Sequence, residues 1–243
     1  MKVVAIIQAR MNSTRLPGKI LYKVLNQTLL EYQIERIRRV PLIDEIIVAT
    51  TTNPGDQPIV DLCRKLGIST YRGSELDVLS RYYEAATLLN ADVIVRLTSD
   101  CPVIDPFTID RVISHYLFHA SNLDYVSNFL KRSYPRGMDT EVFSIEALRI
   151  AQHEATLIHD REHVTPYIYT NSDRFRLEPI QYMTNESHHR WTVDTQEDFQ
   201  LISKIIESLY PTKLNFTLED MLALLQEYPQ WSQINAYVQQ KIV

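Results

Sequence analysis

Cysteine is nearly absent: only Cys63 and Cys101 occur in 243 residues, in no metal-like spacing. That argues against a disulfide scaffold and against structural zinc. Glycine is almost as scarce. Of five residues, three (Gly18, Gly67 and Gly73) fall where turns are expected. Positive charge is in the minority, with 25 Lys and Arg against 30 Asp and Glu and a net charge of -5. There is no global basic field for nucleic acid, so any anionic ligand must be held by local cations. No apolar run is long enough to span a bilayer, and no signal peptide precedes the first apolar segment. A cytoplasmic protein with no membrane partner is expected. Repeats, low-complexity tracts and clear linkers are also missing, so residues 1–243 are expected to form one domain.

The hydrophobic content, 45%, supports one large α/β domain. Strand and helix signals alternate through the first half. Strands are expected at Val3–Gln8, Glu45–Thr50, Ile68–Tyr71 and Asp92–Leu97. Helices are expected at Leu29–Val40, Pro58–Leu66 (closed by Gly67) and Glu75–Leu89. Such alternation predicts a mostly parallel central sheet flanked by helices. The second half is less regular. It predicts helices at Pro106–Phe118, Ile145–Ala155, Arg161–Tyr169, Thr195–Leu209 and Leu218–Glu227, with a further amphipathic helix over Ser232–Val243. Strands are expected at Asp124–Ser127, Phe175–Met183 and Trp191–Val193.

The loop after the first strand is the most informative stretch. It holds Arg10, Arg15 and Lys19 with no acid between them, and Pro17-Gly18 forces a turn that aims Lys19 back over the strand end. Ligands of open α/β sheets bind outside the carboxyl ends of strands, so these cations suit a nucleoside triphosphate. The loop is not an ATP-type P-loop, because Ile20 follows Lys19. Asp100 emerges where the fourth strand ends and is a candidate magnesium ligand. Asp105, before Pro106, reads as a helix N-cap. Asp194 is a second acid at a strand end, with Thr195 and Asp198 placed to cap the next helix. Arg190 would face the ligand or brace Asp194.

The segment Ile7-Gln-Ala-Arg-Met-Asn-Ser-Thr-Arg-Leu-Pro-Gly-Lys19 resembles the signature loop of the cytidylyltransferases that activate sugars. The nearest group is named after spore coat polysaccharide biosynthesis protein F, and the CMP-Kdo and CMP-acylneuraminate synthetases are wider relatives. Arg96-Leu-Thr-Ser-Asp-Cys-Pro102 and Arg190-Trp-Thr-Val-Asp194 resemble the same family. The resemblance implies a Rossmann-like nucleotidyltransferase fold of the GT-A-like kind and transfer of CMP from CTP to a sugar or sugar acid. Pyrophosphate would leave, in surface or spore coat polysaccharide biosynthesis. It implies Mg²⁺ held by Asp100 and Asp194, two carboxylates that would repel each other without a cation. Lys19, Arg10 and Arg15 would hold the phosphates. Gln8, Ala9, Ser13, Thr50, Thr51, Arg72, Ser80 and Thr98 would join them and Asp100 around the nucleotide.

Arg136, Asp139, Glu141, Glu162, His163 and Arg190 are candidate acceptor contacts, the first five in segments that resemble the family's sugar pocket. On local physics these are weak: Glu141 could equally pair with a nearby arginine, and His163 could simply be packed. Ser80 and Arg81 could equally be an exposed helix face. Asp160 is expected to cap its helix. A homodimer is expected from apolar residues between 160 and 190 (Val164, Tyr167, Ile168, Phe175, Leu177, Ile180 and Tyr182), a segment that could project as an arm. Two alternatives stay open, a metal-dependent GT-A-type glycosyltransferase and a non-catalytic nucleotide-binding module. Ser99-Asp100-Cys101 lacks the Asp-x-Asp element usual in the former, and the paired acids and three loop cations count against the latter.

Overall fold

The computed structural model describes residues 1–240. Strand β1, Val3–Gln8, lies inside a seven-stranded sheet, where its run of apolar residues is buried on both faces. A short hairpin follows, β2 (Lys23–Val24) and β3 (Gln27–Thr28), turned by Leu25 and Asn26, both at positive φ. Helix α1, Leu29–Ile37, starts at a capping box between Thr28 and Glu31. Next come β4 (Glu45–Thr51), α2 (Gln57–Leu66), β5 (Ser69–Gly73), α3 (Val78–Leu88) and β6 (Val93–Thr98). Gly67 ends α2 in the left-handed conformation expected of it. The chain continues with α4 (Pro106–Phe118), β7 (Tyr125–Ser127), β8 (Glu141–Ser144), α5 (Ile145–Glu154), α6 (Ile158–His163) and α7 (Pro166–Thr170). It finishes with β9 (Leu177–Pro179), α8 (Gln196–Leu209) and α9 (Leu218–Glu227).

The strand order is β5-β4-β1-β6-β8-β7-β9. The first four are mutually parallel, β8 runs antiparallel to β6 and β7, and β9 is parallel to β7. Alternate residues of β1 feed opposite cores. Val3, Ala5 and Ile7 meet α1, α4, α8 and α9, whereas Val4 and Ile6 meet α3, α5 and α7. The chain runs from β1 to β4 and β5 on one side, then crosses to β6 on the other. Gln8 and Thr98 therefore end neighbouring strands, and the loops behind them diverge to make a crevice. Among the described residues no helix is long and apolar enough to cross a membrane.

Several local expectations need correction. The helix expected at 161–169 is two helices, broken where Val164 takes φ 74 and Pro166 restarts the chain. Asp160 does not cap α6; Leu157 holds that position, and Asp160 lies in the first turn. Residues 191–193 form no strand, and only Arg190 pairs, as an isolated bridge to Arg136. The strand over 175–183 shortens to β9, and β8 is a strand that the sequence pattern does not predict, because its four residues carry Glu141 into the interior. The C-terminal helix is absent over 232–240, where a 3-10 turn at Pro229–Gln233 leads into irregular chain; 241–243 lie outside the described residues. The 160–190 segment does not project. β9 extends the sheet, and Val164, Ile168, Phe175 and Ile180 are buried in the chain's own core. Tyr167, Leu177 and Tyr182 pack partly buried against it, so the apolar surface expected to drive dimerisation is not exposed.

Candidate active site

The cation loop folds back on itself. Gly18 sits at φ 69 and its N–H donates to the Met11 carbonyl at 2.9 Å, as does that of Ser13. A 3-10 turn, Lys19–Leu21, follows immediately and buries Lys19. The loop is fastened by a residue that no local sequence pattern singles out. Buried Asp56 accepts from the Met11 N–H at 2.7 Å and from the Thr51 hydroxyl. A carboxylate after β4 thus ties the β1 loop to the neighbouring strand end.

Lys19 is where the two acids meet. Its Nζ lies 3.3 Å from Asp100 Oδ2 and 2.8 Å from Asp194 Oδ1. The two carboxylate oxygens are therefore no farther apart than the sum of those distances, although 93 residues of chain separate them. Burial works against the charge on Lys19, but Asp100 and Asp194 outweigh it and hold its pKa above the usual amine value. Burial likewise opposes the charge on Asp100. Lys19 and the Thr98 hydroxyl, which donates at 2.6 Å, outweigh it and keep that carboxyl below the usual range. The expected repulsion between the acids is thus relieved by the protein's own ammonium.

Asp194 is held from three sides. Arg15 reaches it at 2.7 Å and Arg190 at 2.7 Å, in addition to Lys19. Arg190 also grips Asp198 through Nε at 2.9 Å and Nη2 at 3.1 Å. Asp198 in turn caps α8 with Thr195 and accepts from the Asp194 N–H at 2.9 Å. Arg190 therefore braces Asp194, with Asn235 adding a bond to Asp198 at 2.8 Å. The C-terminal tail closes over these groups: the Gln239 carbonyl accepts from Arg15 at 3.4 Å, and the Gln240 side chain accepts from Arg190. Nothing in the sequence pattern pointed to that tail.

The segment carrying Asp194 is stitched to the loop after β6. The Val193 N–H donates to the Asp100 carbonyl at 2.8 Å, and the Thr192 hydroxyl donates to it at 3.2 Å. On the other side Gly137, at φ 101, lies under Trp191. A Cβ there would come within 2.6 Å of Trp191 backbone atoms, so only glycine permits this approach. Arg136 and Arg190 are thereby set side by side. Arg136 is half-buried, and burial followed by the nearby charge of Arg132 lowers its pKa. Arg136 and Arg190 line a cavity of about 340 Å³ together with His188, His189, Trp191 and Gln240. A larger groove, about 560 Å³, lies between α4 and β9 and holds none of the candidate residues.

The remaining candidates divide. Arg10 is not part of the Lys19 cluster; it is exposed and 3.9 Å from Glu75. Gln8 accepts from Arg96 at 3.3 Å, Ala9 bonds the Ala49 carbonyl at 3.1 Å, and both stay at the crevice floor. Thr50 is buried, and its hydroxyl has no partner among the described residues. Arg72 is committed to the loop after β4, donating to Thr51 O at 2.9 Å, Gln57 at 2.9 Å and Asn53 O at 2.8 Å. The Ser80 hydroxyl donates to Asp77 O at 3.1 Å. Arg81 is no exposed helix face. It is buried, bonds Ser74 O at 2.9 Å, and among the described residues its Nε has no partner. Glu141 is buried and paired with Arg96 and the Tyr125 hydroxyl, and Asp139 makes a two-point contact to Arg132 at 2.7 and 3.0 Å. Both are spoken for by structure. Glu162 is exposed, and His163 packs against the His159 ring at 4.9 Å, so neither belongs to the Lys19 cluster.

The Asp100–Asp194 pair suits a hard divalent cation. Its donors are all oxygens, Thr98 orients one carboxylate and Arg190 the other, and both already share a positive charge.

Comparison with known proteins gives a consistent picture. A family model described as cytidylyltransferase matches residues 4–242. The chain is 30% identical to the spore coat polysaccharide biosynthesis protein SpsF of Bacillus subtilis, covering 93% of this chain and 95% of that one. The structure of a cytidylyltransferase from Leptospira borgpetersenii superposes with a TM-score of 0.92 at 33% identity, over 100% of this chain and 99% of that one. A CMP:2-keto-3-deoxy-manno-octonic acid synthetase solved with CTP shares the fold, with a TM-score of 0.63 at 17% identity over 85% and 99% of the two chains.

Proposed function

The chain belongs to the cytidylyltransferase family, and on that premise we propose that it transfers CMP from CTP to a sugar or sugar acid. A sugar hydroxyl oxygen attacks the α-phosphorus and gives up its proton to solvent, the bond from that phosphorus to the bridging oxygen of the β-phosphate breaks, and pyrophosphate leaves. The observation that carries this is the meeting of Asp100 and Asp194 on the single ammonium of Lys19. A cation loop and two carboxylates converging at parallel strand ends suit a triphosphate. The octonic acid synthetase, whose structure contains CTP, supports CTP as the nucleotide. The name of the Bacillus relative supports a role in surface or coat polysaccharide synthesis.

Mg²⁺ bound at Asp100 and Asp194 would neutralise phosphate charge and polarise the α-phosphate. The chain's own groups do the rest. When a triphosphate enters, Lys19 and Arg15 transfer their bonds from carboxylate to phosphate oxygens and stabilise the departing pyrophosphate. Arg190 stays on Asp194 and Asp198 and keeps the carboxylate oriented. Among the described residues Arg136 has no ion-pair partner, and it meets an anionic acceptor in the adjoining cavity. Ala9, Thr50 and the spare Nε of Arg81 border the space left for base and ribose.

Release of pyrophosphate from CTP, screened across sugars and sugar acids, tests this directly. A glycosyltransferase would release nucleoside diphosphate from a nucleotide sugar instead, and a binding module would release nothing. A homodimer remains part of the proposal. Exposed Leu76, Leu157 and Ile158, 85%, 64% and 83% accessible, are better placed to drive it than the buried 164–182 residues. Light scattering that gives the mass of one 28.4 kDa chain at micromolar protein would refute it.

A further inference from the structure

The loop between β9 and α8 carries a second cluster of ligating groups, apart from Asp100 and Asp194. Glu186, His188 and His189 each offer one donor atom, and the three atoms all lie within 4.8 Å of one another. Nε2 of His188 is 4.0 Å and Nε2 of His189 3.7 Å from the same oxygen, Glu186 Oε2.

The surroundings orient that set. Thr184 donates its hydroxyl to the other carboxylate oxygen, Oε1, at 3.0 Å, which leaves Oε2 for the imidazoles. The backbone is pinned as well. The Glu186 N–H donates to Ser133 O at 2.8 Å, the His189 N–H to Glu186 O at 3.1 Å, and the Arg136 N–H to His189 O at 3.0 Å. The His189 ring lies flat against Trp191, with centroids 5.3 Å apart and planes 28° apart. Ligands held by partners beyond the metal are the mark of a built site.

From this geometry we propose that Glu186, His188 and His189 bind a divalent transition ion of the zinc class. Two imidazoles and a carboxylate are a donor set that zinc takes readily, at about 2.0–2.2 Å from each atom. At such lengths tetrahedral ligand atoms stand roughly 3.4 Å apart, so the 3.7 and 4.0 Å spacings must close by a few tenths of an ångström and the imidazoles, within 4.8 Å of each other, must turn toward the ion. Three protein donors leave a fourth position open, unlike a closed structural site. His188 and His189 also line the 340 Å³ cavity beside Arg136 and Arg190. An oxygen ligand in that cavity, from water or from a hydroxylated or carboxylated molecule, can fill the open position. The site does not depend on which reaction the Asp100–Asp194 pair supports.

The test is zinc titration of untagged, full-length protein stripped with chelator, against a chromophoric zinc competitor. One zinc per chain is expected. Glu186→Gln and His188→Ala each remove a ligand and should weaken binding by more than the roughly 10- to 100-fold that loss of an outer-shell partner costs, whereas Asp100→Asn should leave it unchanged. His188 is 67% exposed, so His188→Ala removes a donor without opening the core. Circular dichroism of the metal-free variants checks that each is folded. The visible spectrum of the Co²⁺-loaded protein should show the intense bands of four-coordinate cobalt and lose them in both variants. No stoichiometric zinc, or zinc bound equally by wild type and His188→Ala, would overturn the site. Loss of zinc binding in Asp100→Asn would instead assign the metal to the other acids.

Discussion

Replacing Asp100 by Asn separates chemistry from folding. The change keeps the shape and removes one negative charge 3.3 Å from Lys19. At an effective dielectric constant near 20, the direct attraction at that distance is about 5 kcal/mol. Most of it is not lost, because Lys19 keeps Asp194 at 2.8 Å and Asn can still accept from either Thr98 or Lys19. What disappears is nearer one charge-assisted hydrogen bond, about 1.5–3 kcal/mol. The partial replacement reduces this to roughly 1–2 kcal/mol, or a fall in Tm of about 2–8 °C for a chain of this size. The effect on turnover should be larger. Loss of metal-assisted charge neutralisation costs several kcal/mol in the transition state, or about 10²–10⁴ in rate. The assay is pyrophosphate release from CTP, with thermal denaturation alongside. Turnover near wild type would refute the role of Asp100. So would a fall in Tm above about 15 °C, because it would make the residue a structural strut.

Lys19→Met should cost about 2–4 kcal/mol by leaving Asp100 without its cation, and millimolar Mg²⁺ should raise its Tm more than that of wild type; equal shifts would refute a shared cation position. The pH dependence of that stability gap follows from two shifts. Asp100 is held low, so its contribution is complete above about pH 3.9 and lost as pH falls through its folded pKa. Lys19 is held high, so its contribution is complete below about pH 10.4 and lost as pH rises through its folded pKa. Urea unfolding should therefore give a gap that is level from about pH 5 to 9 and closes at both ends, and a gap that peaks sharply near neutrality would contradict the ion-pair account. Gly137→Ala should lower stability by about 3 kcal/mol or more, because the added carbon would meet Trp191 backbone at 2.6 Å; an unchanged urea midpoint would be incompatible with that approach. CTP with Mg²⁺ should raise Tm more than ATP, GTP or UTP does, since stabilisation reports affinity for the folded state; equal shifts would remove the cytosine preference.

Local pattern was enough wherever an element is closed by its near neighbours. The apolar run of β1, the turn at Pro17-Gly18, the Gly67 cap and the N-caps Asp105 and Thr195 depend on neighbours within four residues, and each stands where the sequence predicts it. Where several backbone conformations compete, local pattern failed. Val164 breaks a helix that periodicity would have continued, and the four residues of β8 take their place between β6 and β7 through pairings distant in sequence.

The sequence by itself determined the alternation that makes the parallel sheet, the cation loop at its first strand end, and two acids at later chain turns. Periodicity and turn chemistry are short-range, so they are written in adjacent residues. Only the tertiary structure decided which charges meet. It brought Lys19, Arg15 and Arg190 onto Asp194, turned Arg10 away to Glu75, and spent Arg72, Glu141 and Asp139 on holding the fold. Pairing of charges is set by distance in space and by competition among all available partners, and neither quantity is local to a stretch of sequence.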